Sequence, residues 1–140
     1  MWQGIYRKWN PVPHLEGKCL YVEAVHDDWE GFRIWFGSPA AGIVTIVRFE
    51  SALLHVNSDE MYRLSEVQNS KELNFPHLFW KVEKSQLLEE FHRQSLEIYT
   101  DRDITHYAFL SASDCVDVLS ETEPTFNNLI KADDVWLKEF

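Results

Sequence analysis

The chain is poor in cysteine and in long apolar runs, and each shortage excludes a class of protein. Its 140 residues contain only Cys19 and Cys115, too few for the disulfide framework of a small secreted protein. Both cysteines lie in strand-like segments, where a thiol packs as a small apolar group, and the sequence leaves open whether they are close. No apolar run approaches the ~20 residues of a membrane-spanning helix, and residues 1–9 lack the continuous apolar segment of a signal peptide. We therefore expect a cytoplasmic protein.

Basic residues are also scarce. The chain has 13 Lys and Arg against 23 Asp and Glu, which gives a net charge of −10. Such a charge repels nucleic acid and anionic membranes, whereas it attracts a basic protein and accelerates the encounter. Ordinary solubility is the alternative explanation. We expect a basic protein partner, no nucleic acid and no membrane, and the oligomeric state stays open.

The motifs of known cofactor and metal sites are missing. None of the six histidines stands at a metal-ligand spacing, such as His-x-x-x-His, from another histidine or a cysteine. The breaker segment 37–42 has neither the Lys-Ser/Thr of a phosphate-binding loop nor the glycine spacing of a dinucleotide fingerprint. We therefore expect no cofactor and no metal ion.

His106 is the best candidate for a general base, because it lies beside Tyr107 inside a strand-like segment. Cys115 follows it across a proposed hairpin, so that a histidine-activated thiol is one hypothesis. The sequence shows no orienting partner for His106, and strands seldom present a nucleophile. The alternative is a core or sheet-edge histidine whose ring N–H is satisfied locally. We favour this alternative and expect no catalytic residue and no enzymatic activity.

The central run 76–124 predicts a strand, a helix and two further strands. Segment 77–83 is strand-like, and Ser85 is a natural N-cap for an amphipathic helix that reaches about residue 96. Segments 105–110 and 115–119 follow as strands around a short turn.

The N-terminal half predicts further strands at 18–26, 32–36, 43–49 and 52–56. Loop 27–31 joins the first two as a hairpin. Short turns join antiparallel neighbours, so we predict an α+β protein. Its core is a mainly antiparallel sheet of about six or seven strands, with one main amphipathic helix packed on it.

Three expectations complete the predicted fold. We expect residues 1–140 to form a single domain, with an extended aromatic lead-in at 1–16 and a short helical or irregular packing segment at 125–140. On the strand 18–26, alternation places Leu20, Val22 and Ala24 on one face. The β-branched segment 43–49 predicts a central strand that is buried on both faces.

Carboxylates cluster in the predicted turns, and solvated turn charge explains most of these clusters. It does not explain why a tryptophan lies inside the first one, Asp27-Asp28-Trp29-Glu30. An aromatic side chain flanked by acids on a loop tip is a suitable anchor for a basic protein. The candidate contact residues are Asp27, Asp28, Trp29, Glu30, Glu121 and Glu123.

The central run also carries a resemblance. An aromatic strand ends in Val-x-x-Ser at residues 79–85, a leucine-rich helix follows, and His106-Tyr107 leads to Asp114-Cys115-Val116-Asp117-Val118-Leu119-Ser120 with Pro124 downstream. About a third of the chain thus resembles a family of small, largely uncharacterised bacterial proteins. Some relatives in that family resemble immunity proteins of polymorphic toxin and contact-dependent inhibition systems.

The resemblance implies a cytoplasmic protein that binds one cognate toxin domain and blocks it. Nuclease toxins bind anionic nucleic acid and are usually basic, so an acidic partner is steered onto the same surface. We therefore expect a non-catalytic immunity protein that occludes the active surface of a basic toxin. The alternatives are a small-ligand-binding module, in which an aromatic sheet encloses a pocket, and an enzyme that depends on His106.

Overall fold

A computed structural model describes residues 2–15, 20–38, 43–63, 77–132 and 135–136. These residues contain ten strands, one α-helix and two short 3₁₀ turns. The strands are β1 Ile5–Lys8, β2 Tyr21–Asp28, β3 Gly31–Ser38, β4 Ile43–Phe49, β5 Ala52–Asp59, β6 Phe79–Glu83, β7 Thr105–Leu110, β8 Asp114–Ser120, β9 Thr125–Ala132 and β10 Val135–Trp136. The helix α1 is Gln86–Gln94, and the 3₁₀ turns are Pro13–Leu15 and Glu60–Arg63.

The strands form two five-stranded antiparallel sheets rather than one. The first sheet has the order β1-β6-β7-β8-β5, and the second has the order β10-β9-β4-β3-β2. The α+β class and the antiparallel pairing are confirmed, but the prediction of a single sheet with six or seven strands is wrong. Alternation shows that a strand has a buried face without showing which sheet it joins. Here β4 pairs with β9, far along the chain, instead of with β5.

Aromatic side chains fill the space between the two sheets. Phe32 and Phe36 of the second sheet are buried against Phe79 and Phe109 of the first. Phe36 meets Phe79 edge to face, with 6.5 Å between the ring centroids, a favourable geometry for aromatic pairs. Phe32, Ile34 and Phe36 of β3 share the face that packs in this core.

A β-bulge corrects the faces predicted for β2. The pairing of β2 with β3 shifts between Val22 and Ala24, and such an extra residue reverses the alternation beyond it. Val22 and Val25 therefore pack against the core, while Ala24 packs beside Trp35 on the outer face. The prediction that Val22 and Ala24 share a face is wrong.

Both ends of the chain contain strands. In the lead-in 1–16, the extended segment β1 pairs with β6, and Trp9 packs against core rings. In the segment 125–140, the described residues form β9 and β10, so the predicted helical or irregular structure is wrong. Polar residues such as Asn127 and Asn128 interrupt the apolar alternation that indicates a strand. The partner of β9 is β4, which is distant in the sequence. The prediction of a central strand at 43–49 is confirmed, since β4 lies between β3 and β9.

The helix α1 covers the outer face of the first sheet, as predicted. Ser85 is its N-cap, and the Ser85 hydroxyl oxygen accepts a hydrogen bond from the backbone N–H of Leu88 at 3.0 Å. Leu87 is buried against Leu119 of β8, and Phe91 packs beside them. Of the residues with described positions, none belongs to a helix long and apolar enough to cross a membrane.

Candidate functional site

The strand register brings several connections together at one end of the sandwich. The β4–β5 turn at 50–51 and the β8–β9 loop at 121–124 each cross from one sheet to the other there. The β2–β3 turn lies beside them, because the first residues of β3 pair with the last residues of β4. The loop 95–104 between α1 and β7 also ends there, because Thr105 pairs with Ser120. We call this group of connections the loop end.

All six predicted contact residues lie at the loop end or on the strand ends that lead into it: Asp27, Asp28, Trp29, Glu30, Glu121 and Glu123. Trp29 is 91% exposed. Three other described large hydrophobic residues are more than half exposed. Leu96 and Ile98 lie in the loop 95–104, whereas Tyr62 lies toward the opposite end of the sandwich. The loop end therefore combines exposed apolar side chains with carboxylates.

The turn that carries Trp29 is held rigidly from both sides. The Arg33 guanidinium donates two hydrogen bonds to the Asp28 carboxylate, at 2.7 Å and 2.9 Å. Asp28 also accepts the backbone N–H of Glu30 at 2.9 Å, and Arg48 Nε donates to the Glu30 carbonyl at 2.8 Å. The hydrogen bonds from Arg33, the largest cause, and from the Glu30 N–H lower the pKa of Asp28 to about 2. Asp28 thus stays charged and fixes the turn, so Trp29 is presented from a preorganised support.

Glu121 and Glu123 make exposed ion pairs. Arg102 donates to Glu121 at 3.0 Å, and this contact raises the pKa of Arg102. Lys81 Nζ lies 3.2 Å from a Glu123 oxygen. Exposed pairs of this kind contribute little to stability, so a basic partner can replace the lysine or the arginine at little cost.

A buried chain of polar side chains crosses the outer face of the first sheet, and only one of its members was singled out from the sequence as a chemical candidate. His106 Nε2 lies 2.7 Å from Asp117 Oδ1, and His106 Nδ1 lies 2.6 Å from the Ser85 hydroxyl. Arg63 contacts the other Asp117 oxygen. Asp117 is fully buried, and Arg63 and His106 are each 1% exposed. A carboxylate can only accept from the ring, so His106 donates through Nε2 and accepts the Ser85 hydroxyl at Nδ1.

Burial, followed by the nearby Arg63 charge, lowers the pKa of His106 to about 3. His106 is therefore neutral at physiological pH, and Arg63 balances the charge of Asp117. The predicted ring N–H partner of His106 exists, although it is the side chain of Asp117 on the neighbouring strand. Asp117 was a readable signal, since it stands on the same face of an apolar strand as Cys115 and Leu119.

The depressed pKa of His106 predicts how stability depends on pH. The unfolded chain binds this proton below its ordinary pKa of 6.5, whereas the folded protein binds it only near 3. The contribution of His106 to the free energy of unfolding is therefore fully present above pH 6.5, and it is lost as the pH falls toward 3. Between pH 6.5 and 4.5 we expect a loss of about 2–3 kcal/mol in the free energy of unfolding.

Urea unfolding measured at several pH values checks this loss. In His106→Gln, whose amide can still donate to Asp117, most of the loss over that interval should disappear. Carboxylates whose pKa is lowered, such as Asp28 and Glu90, change stability only below their ordinary pKa values of 3.8 and 4.5. If the free energy of unfolding changed equally with pH in the wild type and in His106→Gln, the lowered pKa of His106 would be contradicted.

Ser85, His106 and Asp117 have the connectivity of a nucleophile, a base and an orienting acid. The surroundings of Ser85 are those of a helix cap. Ser85 is 7% exposed, and its oxygen already accepts the N–H of Leu88. The N–H of Gln86, which could otherwise face an oxyanion, donates to the Gln3 carbonyl at 2.8 Å. The arrangement satisfies buried polar groups and caps a helix.

A cleft of about 730 Å³ opens beside Ser85, between α1 and the ends of β6 and β7. Its apolar wall includes Val82, Leu88 and Ile104, and charged side chains of both signs line it as well: Lys84, Glu89 and Glu97. Across the described ranges, no group of three or more His, Cys, Asp or Glu side chains is arranged to hold a metal ion.

The hypothesis of a histidine-activated thiol at Cys115 is not supported by the register. Cys115 pairs with Leu110, whereas His106 pairs with Leu119 at the other end of the same two strands. Cys115 is buried among apolar side chains, so its thiol packs as a small apolar group. Cys19 lies outside the described residues, so the prediction that left open whether the two cysteines are close also falls outside them.

No family model, curated protein or solved structure matches this chain.

Proposed function

We propose that this protein is a non-catalytic binding protein of the immunity type. It neutralises a basic, nuclease-type toxin domain in the bacterial cytoplasm by covering the toxin's active surface. The observation that carries the proposal is Trp29, which is 91% exposed at the tip of a hairpin held by Arg33 and Arg48. Such exposure contributes almost nothing to folding, whereas a rigid, exposed tryptophan is a typical interface anchor.

The carboxylates of the loop end favour a partner with a basic surface. Asp27, Asp28 and Glu30 flank Trp29 in its own hairpin, and Glu121 and Glu123 lie on the β8–β9 loop at the same end of the sandwich. They attract a cationic surface over a distance and speed association. A nuclease domain offers such a surface where it binds the phosphate backbone, so a protein seated there also excludes the substrate.

The accessible surface of the chain is large enough for a specific complex. A standard interface covers about 800 Å² on each partner. That area is about a tenth of the accessible surface of 8190 Å². In such a complex Trp29 would belong to the apolar core of the interface, and the carboxylates of the loop end would belong to its polar rim.

Co-expression in a bacterial host tests this function. The chain is produced together with each member of a panel of basic nuclease domains from polymorphic toxins, and acidic toxin domains that are not nucleases serve as the control panel. We expect survival to be restored for one basic nuclease and for none of the controls. Ser85→Ala removes the hydroxyl that a serine enzyme would need. It also removes a helix cap and the buried hydrogen bond to His106, which together cost about 2–4 kcal/mol, but it leaves the surface at the loop end unchanged. It should therefore protect as well as the wild type.

Loss of protection in Ser85→Ala, with the fold intact, would favour an enzyme that uses Ser85, His106 and Asp117. Protection against no member of the nuclease panel would contradict the immunity proposal. In that case the cleft beside Ser85 becomes the place to look for a small ligand.

A further inference from the structure

A second group of exposed apolar side chains lies in the loop 95–104 that joins α1 to β7. Leu96 is 84% exposed and Ile98 is 68% exposed. The loop reaches the loop end, because Arg102 of the same loop donates to Glu121 at 3.0 Å. Trp29 is carried by another connection at that end.

The backbone at Leu96 has a conformation that normally requires glycine. The N–H of Leu96 donates to the carbonyl of Arg93 at 3.3 Å, and the N–H of Glu97 donates to the carbonyl of His92 at 2.9 Å. These two bonds form the Schellman motif that ends many helices. In this motif the residue after the C-cap, here Leu96 with φ 53°, is left-handed. Glycine is preferred there, because a β-carbon costs free energy in this conformation.

Nothing in the packing of Leu96 compensates for this cost. Its side chain is 84% exposed, so its burial returns almost none of the strain energy. Glu97 is left-handed as well, with φ 61°. A bulky apolar residue that is left-handed and exposed raises the free energy of the folded monomer, and no packing contact compensates for this cost. Violations of this kind mark functional sites.

We propose that the loop 95–104 is the second arm of the interface, and that Leu96 and Ile98 enter an apolar pocket on the same basic toxin domain that takes Trp29. This inference rests on the proposed function and extends it. The partner's surface would then have two apolar pockets with basic groups between them. The exposed carboxylates Asp101 and Asp103, in the part of the loop nearest to β7, face those basic groups.

The charge of the chain argues against other occupants. A second copy would carry the same net charge of −10 and would be repelled, as would an anionic membrane. A basic domain is attracted by the same carboxylates. The occupant is therefore a cationic protein surface.

The substitution Leu96→Gly tests the inference, because it should change stability and binding in opposite directions. Glycine relieves the left-handed strain, so the midpoint of thermal unfolding should rise by about 2–4 °C. The same change removes an apolar contact, so the affinity for an immobilised, catalytically inactive form of the toxin domain identified by co-expression should fall about tenfold.

Two matched variants separate strain from contact. Glu97→Gly relieves strain at the neighbouring left-handed residue, so it should raise the unfolding midpoint while the affinity stays within about threefold. Ile98→Ser removes an exposed apolar side chain from a residue without positive φ. It should lower the affinity about tenfold with little change in the unfolding midpoint.

A lower unfolding midpoint in Leu96→Gly would show that Leu96 serves the fold, and it would overturn the inference. Unchanged affinity in Leu96→Gly and Ile98→Ser, with weakened binding in Trp29→Ala, would overturn the second arm and leave the proposed function standing. If the wild type binds no basic toxin domain, both proposals fail. Dimers of the wild type in sedimentation that Leu96→Gly dissociates would assign the loop to self-association instead.

Discussion

Replacing Arg63 with methionine is expected to lower the free energy of unfolding by about 3–5 kcal/mol, which is typical when a buried charge loses its partner. Arg63 is 1% exposed and contacts Asp117, which is fully buried. Methionine fills a similar volume but leaves the Asp117 carboxylate without a counter-charge. The hydrogen bond from Arg63 Nε to Ser58, at 3.2 Å, is lost as well.

Urea unfolding of Arg63→Met, Arg93→Met, Asp117→Asn and the double variant of Arg63→Met with Asp117→Asn measures this loss in the free energy of unfolding. Arg93→Met is the control, because Arg93 pairs with Glu90 on the exposed face of α1 and should cost less than about 1 kcal/mol. Asp117→Asn removes the charge and still offers an oxygen to His106, so it should recover most of the loss when it is combined with Arg63→Met. A cost in Arg63→Met as small as in Arg93→Met would contradict the description of this ion pair.

The helix and the strands of the central run could be predicted because their signals are local. Ser85 caps a helix whose apolar residues recur at helical spacing, and that prediction needs no knowledge of distant partners. The division into two sheets could not be predicted in the same way. The strand β9 joins β4 through pairs such as Val47 with Phe126, and sequence separation hides this pairing.

The candidate site was predictable only in part, for the same reason. Trp29 stood out because acids flank it, and a large aromatic side chain among charges is unusual in a turn. Asp117 could be recognised as an acid on an apolar strand, but its contact with His106 could not be predicted, since the two residues become neighbours only when β7 pairs with β8. The left-handed turn at Leu96 was hidden as well, because the sequence has no glycine there to signal the end of the helix.

Trp29→Ala is expected to weaken binding of the toxin domain by about 30-fold or more, the range of an interface hot spot. Trp29 presents a large apolar surface from a rigid turn, so the free protein loses little conformational entropy when the side chain is bound. The free energy of unfolding should change by less than about 0.5 kcal/mol, because Trp29 is 91% exposed. A loss of binding therefore cannot come from unfolding.

Tyr62→Ala is the matched control for this substitution. Tyr62 is an aromatic residue that is 56% exposed, and it lies in the 3₁₀ turn after β5, toward the end opposite Trp29. Its replacement should leave the affinity unchanged within about twofold. Equal losses in the two variants would mean that exposed aromatic side chains bind without regard to position.

The most direct test is a titration of the inactive toxin domain with the wild type, Trp29→Ala and Tyr62→Ala at low and high salt. We predict tight binding by the wild type and by Tyr62→Ala, and binding by Trp29→Ala that is at least about 30-fold weaker. We also predict that the association rate falls about tenfold or more as the salt concentration rises. Equal affinity of all three proteins, or an association rate that does not depend on salt, would contradict an acidic interface anchored by Trp29.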